Sequence, residues 1–222
     1  MAHAKPLFFS QDGHLHPVKA FLRLFFKLLY HQFAFTYDLV AAGVSFNRWK
    51  DWVTSVIPFI EGTRILELGH GPGHLQRIFL HRGLVAVAID ESRQMSYLAR
   101  RRTDGSARLT RGLAQRLPFA SKSFHTVVST FPSEYIFDPR TMSEAKRCLS
   151  DGGRFIVLPV ALPKNRLLDW LFKITGEAPS EAMDAVKSKL KEPFVRAGFE
   201  TEVRTLDVRS SLLLIVAARL PR

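Results

Sequence analysis

Short apolar segments alternate with helical patterns from Arg64 onward, and this alternation limits the fold more than any other feature of the chain. The first two apolar segments are RILELG at 64–69 and LVAVAID at 84–90, with a helical pattern at 74–82 between them. Parallel strands need a crossover connection of about this length, usually a helix. The alternation continues through strands at 107–111, 123–130 and 154–160 and helices at 92–102 and 139–149. We therefore predict an α/β fold with a mostly parallel sheet.

The last two apolar segments are arranged differently from the others. GFETEVRTLDV at 198–208 and SSLLLIVAARL at 210–220 are separated by a single residue. Only an antiparallel hairpin accommodates so short a connection. The complete prediction is a seven-stranded, mostly parallel sheet with an antiparallel C-terminal hairpin.

The N-terminal part of the chain predicts a helical cap over residues 1–62. Residues 18–33 read VKAFLRLFFKLLYHQF, with Lys19, Arg23 and Lys27 on one helical face and apolar side chains on the rest. This amphipathic helix is too short to cross a bilayer but fits the surface of one. Half of the 18 Phe lie within the cap. The core is predicted to span 63–222, with an amphipathic insertion at 160–179.

Charge and cysteine content limit the classes of partner and site. Lys plus Arg is 32 against 20 for Asp plus Glu, so the formal net charge is +12 and an anionic partner surface is expected. Cys148 is the only cysteine, which excludes disulfides within these residues and Cys-based zinc sites. No metal is predicted. Without a secretory signal pattern, we expect a cytoplasmic protein with peripheral contact at the inner face of the membrane.

The arginine excess has two interpretations. Nine Arg fall between Gln76 and Arg116, against three acidic residues. Such a cluster can contact the phosphates of nucleic acid. A solvated helix face is the favoured interpretation, because no RNA-binding module accompanies the cluster, and nucleic acid is not expected as a partner.

The segment ELGHGPG at 67–73 carries the chemistry of the chain. It follows the first predicted strand and precedes a helix, and glycines at 69, 71 and 73 let the backbone approach a ligand closely. Asp90 ends the second strand about 20 residues later, where a carboxylate can accept hydrogen bonds from ribose hydroxyls. Dinucleotides and S-adenosylmethionine both fit this arrangement.

The details of the glycine segment resemble the class I S-adenosylmethionine-dependent methyltransferases. The glycines are spaced GxGxG and follow an acid, Glu67; further similarities are AID at 88–90, GLAQRLPFASKSFHTVV at 112–128 and EAKRCLSDGGRFIVL at 144–158. The subgroup that it resembles includes ubiquinone and menaquinone biosynthesis methyltransferases and bacterial phospholipid N-methyltransferases. The resemblance covers residues 37–159 and implies a Rossmann-like fold and S-adenosylmethionine as cofactor.

The resemblance also implies a set of cofactor contacts. Glu67, Gly69 and Gly71 would contact the methionine part, Asp90 the ribose, and Glu91 the adenosine. Further contacts fall on Leu113, which stands where the family usually has Asp, on Ala114, and on Tyr37, which would close over the cofactor. Thr130 and Phe131 would line the methyl-transfer site. Leu113 and Ala114 offer only backbone and apolar contacts to the adenine.

Methyl transfer requires mainly that the acceptor is aligned with the methyl group and that water is excluded. A base is needed only when the acceptor has a proton to lose. The predicted catalytic candidates are Tyr37, Tyr135 and His125, with His70, His74 and Glu134 as further candidates by position. His70 lies inside the glycine turn, where its backbone is expected to matter more than its imidazole.

The predicted function is methyl transfer from S-adenosylmethionine to a hydrophobic or amphiphilic acceptor. A membrane lipid headgroup amine and an isoprenoid quinone precursor both fit, and the residues do not separate them. The alternatives are a methyltransferase for a soluble small molecule or RNA, and a non-catalytic protein that binds S-adenosylmethionine. Small-molecule or lipid acceptors and an anionic membrane are the expected partners.

Overall fold

A seven-stranded sheet is the centre of the structure, a computed structural model that describes residues 49–84, 86–163 and 179–221. The strands lie in the order β3-β2-β1-β4-β5-β7-β6. In chain order they are Ile65–Leu68, Ala86–Asp90, Arg108–Arg111, Phe124–Thr130, Leu149–Pro163, Glu200–Val208 and Ser211–Arg219. Strands β1 to β5 pair in parallel, and β7 is antiparallel to both β5 and β6. The predicted mostly parallel sheet with an antiparallel C-terminal hairpin is confirmed.

Five α-helices accompany the sheet in the described ranges. They are α1 (Trp49–Thr54), α2 (His74–His81), α3 (Arg93–Arg102), α4 (Pro139–Cys148) and α5 (Pro179–Arg196). The start of α3 is capped by Ser92, whose hydroxyl accepts from the Met95 N–H at 3.2 Å. At the start of α4, the Asp138 carboxylate accepts from the Arg140 N–H at 2.8 Å. These caps explain where α3 and α4 begin, and α2, α3 and α4 all lie within one residue of their predicted bounds.

Helix α5 is an element that the strand and helix patterns above do not predict. Its buried side chains include Leu190 and Phe194, and the Phe194 ring lies 5.4 Å from the ring of Phe155 in β5. Pro193 lies inside the helix. A proline there normally argues against a helix, because it removes a backbone hydrogen bond. Packing against the sheet outweighs that penalty here.

Side chains of β1 alternate between two core layers. Leu66 and Leu68 join the layer that contains residues of α4 and α5, whereas Ile65 joins the layer that contains residues of α1 and α2. Because side chains alternate along a strand, Glu67 faces the α1 and α2 layer. A carboxyl group is thereby placed among buried groups, directly below the glycine turn.

The predicted division at residue 62 is not tested by the fold, and it stays a prediction. Of the cap, the structure describes 49–62, and here Trp52, Val53 and Phe59 are buried in the same cluster as Phe79 of α2. The predicted helix at 18–33, Tyr37 and residues 164–178 of the insertion lie outside the described residues. Within the described ranges, no helix combines the length and apolarity that a bilayer crossing requires.

Candidate active site

A glycine turn connects β1 to α2 and forms the floor of the site. The Gly69 and His70 N–H groups both donate to the carbonyl of Ile89 in β2, at 2.8 and 3.3 Å. Gly69 has φ +69° and Gly73 has φ +82°, and a Cβ on either would overlap with a neighbour, the Tyr135 hydroxyl or Ala99 respectively. The turn therefore needs glycine at both positions, for its backbone conformation and for close packing.

Asp90 fixes the glycine turn from the end of β2. Its carboxylate accepts the Gly71 N–H at 2.9 Å through one oxygen and the Ser92 N–H at 2.8 Å through the other. A carboxylate has about four acceptor positions, so capacity remains for the hydroxyls of a ligand. That this carboxylate binds a ribose stays a prediction.

Glu67 is a buried acid beside this turn. Its side chain is 1% exposed and accepts a hydrogen bond from the Gln76 amide at 2.6 Å. Burial is the main reason that the pKa of Glu67 rises to about 8, and the negative charge of Asp90 adds to the rise. The carboxyl is therefore mostly neutral at pH 7, and a cation bound beside it would favour its ionisation.

His70 adds a second buried acceptor to the glycine turn. Its Nδ1 lies 2.7 Å from the Gly71 carbonyl. A carbonyl can only accept, so Nδ1 carries the proton. Burial lowers the pKa of His70, which leaves Nε2 as a neutral acceptor with no hydrogen-bond partner among the described residues. The imidazole thus offers more than the backbone contribution expected from its position in the turn.

Open space lies beside Gly71, in contrast to the other two glycines of the turn. A Cβ at Gly71 would meet no atom within 4 Å, although the φ of this residue is +49°. The space is bordered by Gly71, whose N–H donates to the Asp90 carboxylate. His70 lies in the same turn. The two buried acceptors, Glu67 and His70, suit an ammonium group, and the Asp90 carboxylate suits ribose hydroxyls. The residues present therefore fit S-adenosylmethionine.

The predicted adenosine contacts lie at the ends of β2 and β3. The Gly112 N–H donates to the Asp90 carbonyl at 3.1 Å, which holds the residues after β3 against the end of β2. Leu113 is 50% exposed, and Ala114 is partly buried. An apolar, half-exposed side chain next to Asp90 suits contact with the face of a base. Glu91 is exposed, and Thr130 ends β4 at the same edge of the sheet.

The Tyr135 side chain contacts the end of β1, next to the glycine turn. Its hydroxyl donates to the Leu68 carbonyl at 3.1 Å and lies 3.2 Å from the Ser129 hydroxyl. Burial raises the pKa of Tyr135 above its ordinary value. A phenol in this state does not release its proton near neutral pH, so these contacts favour a role in positioning Gly69 over a role as a base.

The structure does not bring His125 to this site. His125 is the second residue of β4, at the amino end of a strand whose carboxyl end, Thr130, lies at the glycine edge. Its Nδ1 accepts from the Thr63 and Arg64 N–H groups at 3.2 and 3.3 Å. In a parallel sheet the ligand site lies outside the carboxyl ends of the strands. The sequence-based assignment of His125 as a catalytic candidate is corrected on this geometry, because the imidazole serves a loop at the opposite edge.

Four aromatic side chains form a cluster at the carboxyl edge of the sheet, and the sequence patterns did not predict this cluster. The Trp49 ring lies 4.5 Å from the Phe131 ring and 6.0 Å from the His74 ring, and Trp52 lies 6.0 Å from Phe131. We call Trp49, Trp52, His74 and Phe131 the aromatic wall. His74 directly follows the glycine turn, and the Trp49-x-x-Trp52 spacing was the available signal. Burial and the charges of Arg102 and Arg77 lower the pKa of His74 to about 4.

Comparisons with known proteins agree with this arrangement. Residues 66–157 match a family described as a methyltransferase domain. A demethylmenaquinone methyltransferase from Symbiobacterium thermophilum is 30% identical over 218 residues, and the match covers 80% of this chain and 86% of that protein. The ubiquinone/menaquinone biosynthesis C-methyltransferase UbiE of Cereibacter sphaeroides is 29% identical over 143 residues, covering 61% of this chain. The chain spans 57% of the length of that relative.

Solved structures share the fold at lower identity. A methyltransferase from Methanosarcina mazei, described as dependent on S-adenosylmethionine, superposes with a TM-score of 0.54 at 19% identity. The match covers 76% of this chain and 98% of that one. With the family match over the strands that carry Glu67, Gly71 and Asp90, the chain belongs to the class I S-adenosylmethionine-dependent methyltransferases.

Proposed function

We propose that this protein transfers a methyl group from S-adenosylmethionine to a ring carbon of an isoprenoid quinone precursor. The observation that carries the proposal is the match to a demethylmenaquinone methyltransferase, which extends over 80% of this chain. The aromatic wall supports it, because aromatic side chains beside the glycine turn suit an aromatic acceptor.

The proposed cofactor contacts are those that the resemblance implies, with one addition from the site. Glu67, Gly69 and Gly71 hold the methionine part, with His70 as an additional acceptor for its ammonium. Asp90 holds the ribose, and Glu91, Leu113 and Ala114 surround the adenosine. Thr130 borders the transferred methyl group. Tyr37, outside the described residues, remains a proposed contact by resemblance alone.

The chemistry requires few groups from the protein. S-Adenosylmethionine supplies an activated methyl group on a sulfonium centre. The aromatic wall excludes water and orients the acceptor ring against that methyl group. Methylation of a quinol ring carbon replaces the hydrogen on that carbon, which leaves as a proton, and transient loss of a hydroxyl proton makes the carbon more nucleophilic. His74 is neutral at physiological pH and lies in the wall, so it can accept a hydrogen bond from that hydroxyl.

A lipid headgroup amine is the second candidate acceptor. Tryptophan faces attract methylated ammonium groups, and Trp49 is a partly exposed member of the wall. The two acceptors differ in where the methyl group goes, to ring carbon or to nitrogen. The remaining alternatives, a soluble acceptor, RNA or cofactor binding without catalysis, have no comparable support in the site.

A labelling experiment tests the proposed acceptor. The full chain is incubated with methyl-labelled S-adenosylmethionine and, in separate reactions, reduced demethylmenaquinone, phosphatidylethanolamine and a soluble metabolite extract. We expect label in the quinol fraction, on carbon. Label on the phosphatidylethanolamine nitrogen would replace the quinol proposal by the lipid amine, and label confined to the soluble extract would contradict both.

The role of Asp90 leads to a prediction about cofactor affinity. Asp90→Asn keeps an oxygen that can accept one backbone N–H but loses the charge. We expect S-adenosylmethionine to bind about fivefold more weakly, since charged hydrogen bonds are stronger than neutral ones by about 1 kcal/mol. Isothermal titration calorimetry measures the change. Asp151→Asn is the matched control, because Asp151 is exposed and pairs only with Lys122 at 2.8 Å. Equal affinities for the two variants would remove Asp90 from the binding site.

A further inference from the structure

The outer surface of α2 and α3 carries arginines interspersed with exposed apolar side chains. Tyr97 is 60% exposed, Leu98 39% and Leu80 37%. Three of the six large hydrophobic side chains that are exposed in the described ranges lie on these two helices. We call this surface the arginine face; its members are Arg77, Leu80, Arg93, Tyr97, Leu98, Arg100 and Arg101.

The members of the arginine face lie on two neighbouring helices. Arg93, Tyr97 and Arg101 are spaced four residues apart on α3, so they lie along one side of the helix. The Arg101 guanidinium lies 5.9 Å from the centre of the Tyr97 ring. Helix α3 contacts the glycine turn that precedes α2, because the Arg102 guanidinium donates to the Pro72 carbonyl at 2.6 Å.

The positive charges of this surface are not compensated within the described part of the chain. None of Arg77, Arg93, Arg100 and Arg101 forms an ion pair with a described residue. The only acids between Gln76 and Arg116 are Asp90, Glu91 and Asp104, and the Asp90 carboxylate already accepts two backbone N–H groups. Like charges gathered on one surface reduce folding stability, and a bound anionic surface offsets that cost.

We propose that the arginine face binds the anionic surface of a lipid bilayer. Arginines attract anionic headgroups, and the apolar side chains between them can enter the headgroup layer. Nucleic acid is less well matched, because single-stranded nucleic acid binds through several stacked aromatic side chains, and Tyr97 is the only aromatic member of this face. Leu80 and Leu98 have no comparable role on a phosphate backbone.

The position of the face is suited to a membrane-embedded acceptor. Helix α2 begins at the glycine turn, and α3 begins three residues after Asp90, so both helices start beside the proposed cofactor site. Lipid binding by this surface does not depend on the methyl-transfer proposal. A loss of vesicle binding and a loss of methyl transfer are measured separately.

Vesicle co-sedimentation of the full chain tests the proposal. The vesicles contain phosphatidylcholine alone or phosphatidylcholine with phosphatidylglycerol. We expect binding to the anionic vesicles, and Arg93→Gln/Arg101→Gln should reduce the partition coefficient about 25-fold, since each arginine contributes about fivefold. Leu80→Ser/Leu98→Ser should reduce it as well. Unchanged melting temperatures confirm that these exposed substitutions leave the fold intact.

A charge-matched variant separates this face from net charge. Lys189→Gln/Lys191→Gln removes the same charge from exposed positions of α5 and should leave vesicle binding nearly unchanged. Equal losses in the arginine and lysine variants would overturn the proposal, as would unchanged binding in the arginine variant. Tighter binding to single-stranded RNA than to anionic vesicles, lost in the arginine variant and kept in the leucine variant, would replace the lipid by nucleic acid.

Discussion

Gly71→Ala is expected to weaken the binding of S-adenosylmethionine about 100-fold, whereas Gly83→Ala is expected to leave it unchanged. Both glycines have positive φ, +49° and +69°, and a Cβ on either would meet no protein atom within 4 Å. The protein itself therefore tolerates the two methyl groups equally. Only at Gly71 would the methyl group occupy space beside Asp90 that the cofactor needs, and such overpacking costs up to about 3 kcal/mol.

The pair of variants separates ligand exclusion from backbone strain. Alanine in the left-handed region costs about 1 kcal/mol of stability at either site, so the two melting temperatures should fall by similar amounts. Calorimetric titration with S-adenosylmethionine then measures the difference in affinity. If both variants bind as tightly as the unmodified chain, the open space beside Gly71 is not the cofactor site. If both lose affinity together, the loss reports general destabilisation.

Most of the sheet could be predicted because its signals are local. A strand such as Ile65–Leu68, followed by glycines and a helix, is encoded within a dozen residues, and the two residues between Val208 and Ser211 allow only antiparallel pairing of the last two strands. The N-terminal caps Ser92 and Asp138 fixed the starts of α3 and α4 in the same way. Helix α5 was not predicted because its stability comes from contacts between residues that are distant in sequence, such as Phe194 and Phe155.

The parts of the candidate site that local backbone patterns form could be predicted. The parts formed by side chains that are distant in sequence were harder to predict. The glycine turn and Asp90 lie where their spacing suggested. His125 was misplaced because it was assigned from its place in a motif, although the predicted strand at 123–130 already puts it at the amino end, away from the glycine turn. The aromatic wall required Trp49 of α1 to reach Phe131, a contact between residues 82 positions apart in sequence. Such a contact depends on packing that no local pattern encodes.

Glu67→Gln is expected to change the pH dependence of stability more than any other single substitution. The pKa of Glu67 is raised to about 8 in the folded chain from an ordinary value of 4.5. Between these values the folded chain holds a proton that the unfolded chain has released. The free energy of unfolding therefore falls as pH rises through this window, by about 1.4 kcal/mol per pH unit while the folded carboxyl stays protonated.

Comparison of the two proteins isolates this contribution. From pH 5.5 to pH 7.5 the unmodified chain should lose about 2 to 3 kcal/mol relative to Glu67→Gln. The lowered pKa values of His70 and His74 act in the opposite direction below about pH 6.5, but they are common to both proteins and cancel in the difference. Urea denaturation at several pH values measures the two stabilities. Glutamine keeps an oxygen for the Gln76 amide, so a parallel pair of stability curves would mean that Glu67 is ionised in the folded chain.

The same substitution tests the proposed contact between Glu67 and the methionine ammonium. At pH 7.5 about three quarters of the folded chains carry the Glu67 proton, given a pKa of about 8. A cation bound beside the carboxyl favours its ionisation, so binding should release roughly that fraction of a proton more from the unmodified chain than from Glu67→Gln. Calorimetry in buffers of different ionisation enthalpy measures the release, and protons bound or released by the ligand cancel between the two proteins. An equal release from both would place the ammonium away from Glu67, while the stability difference would remain, because burial alone produces it.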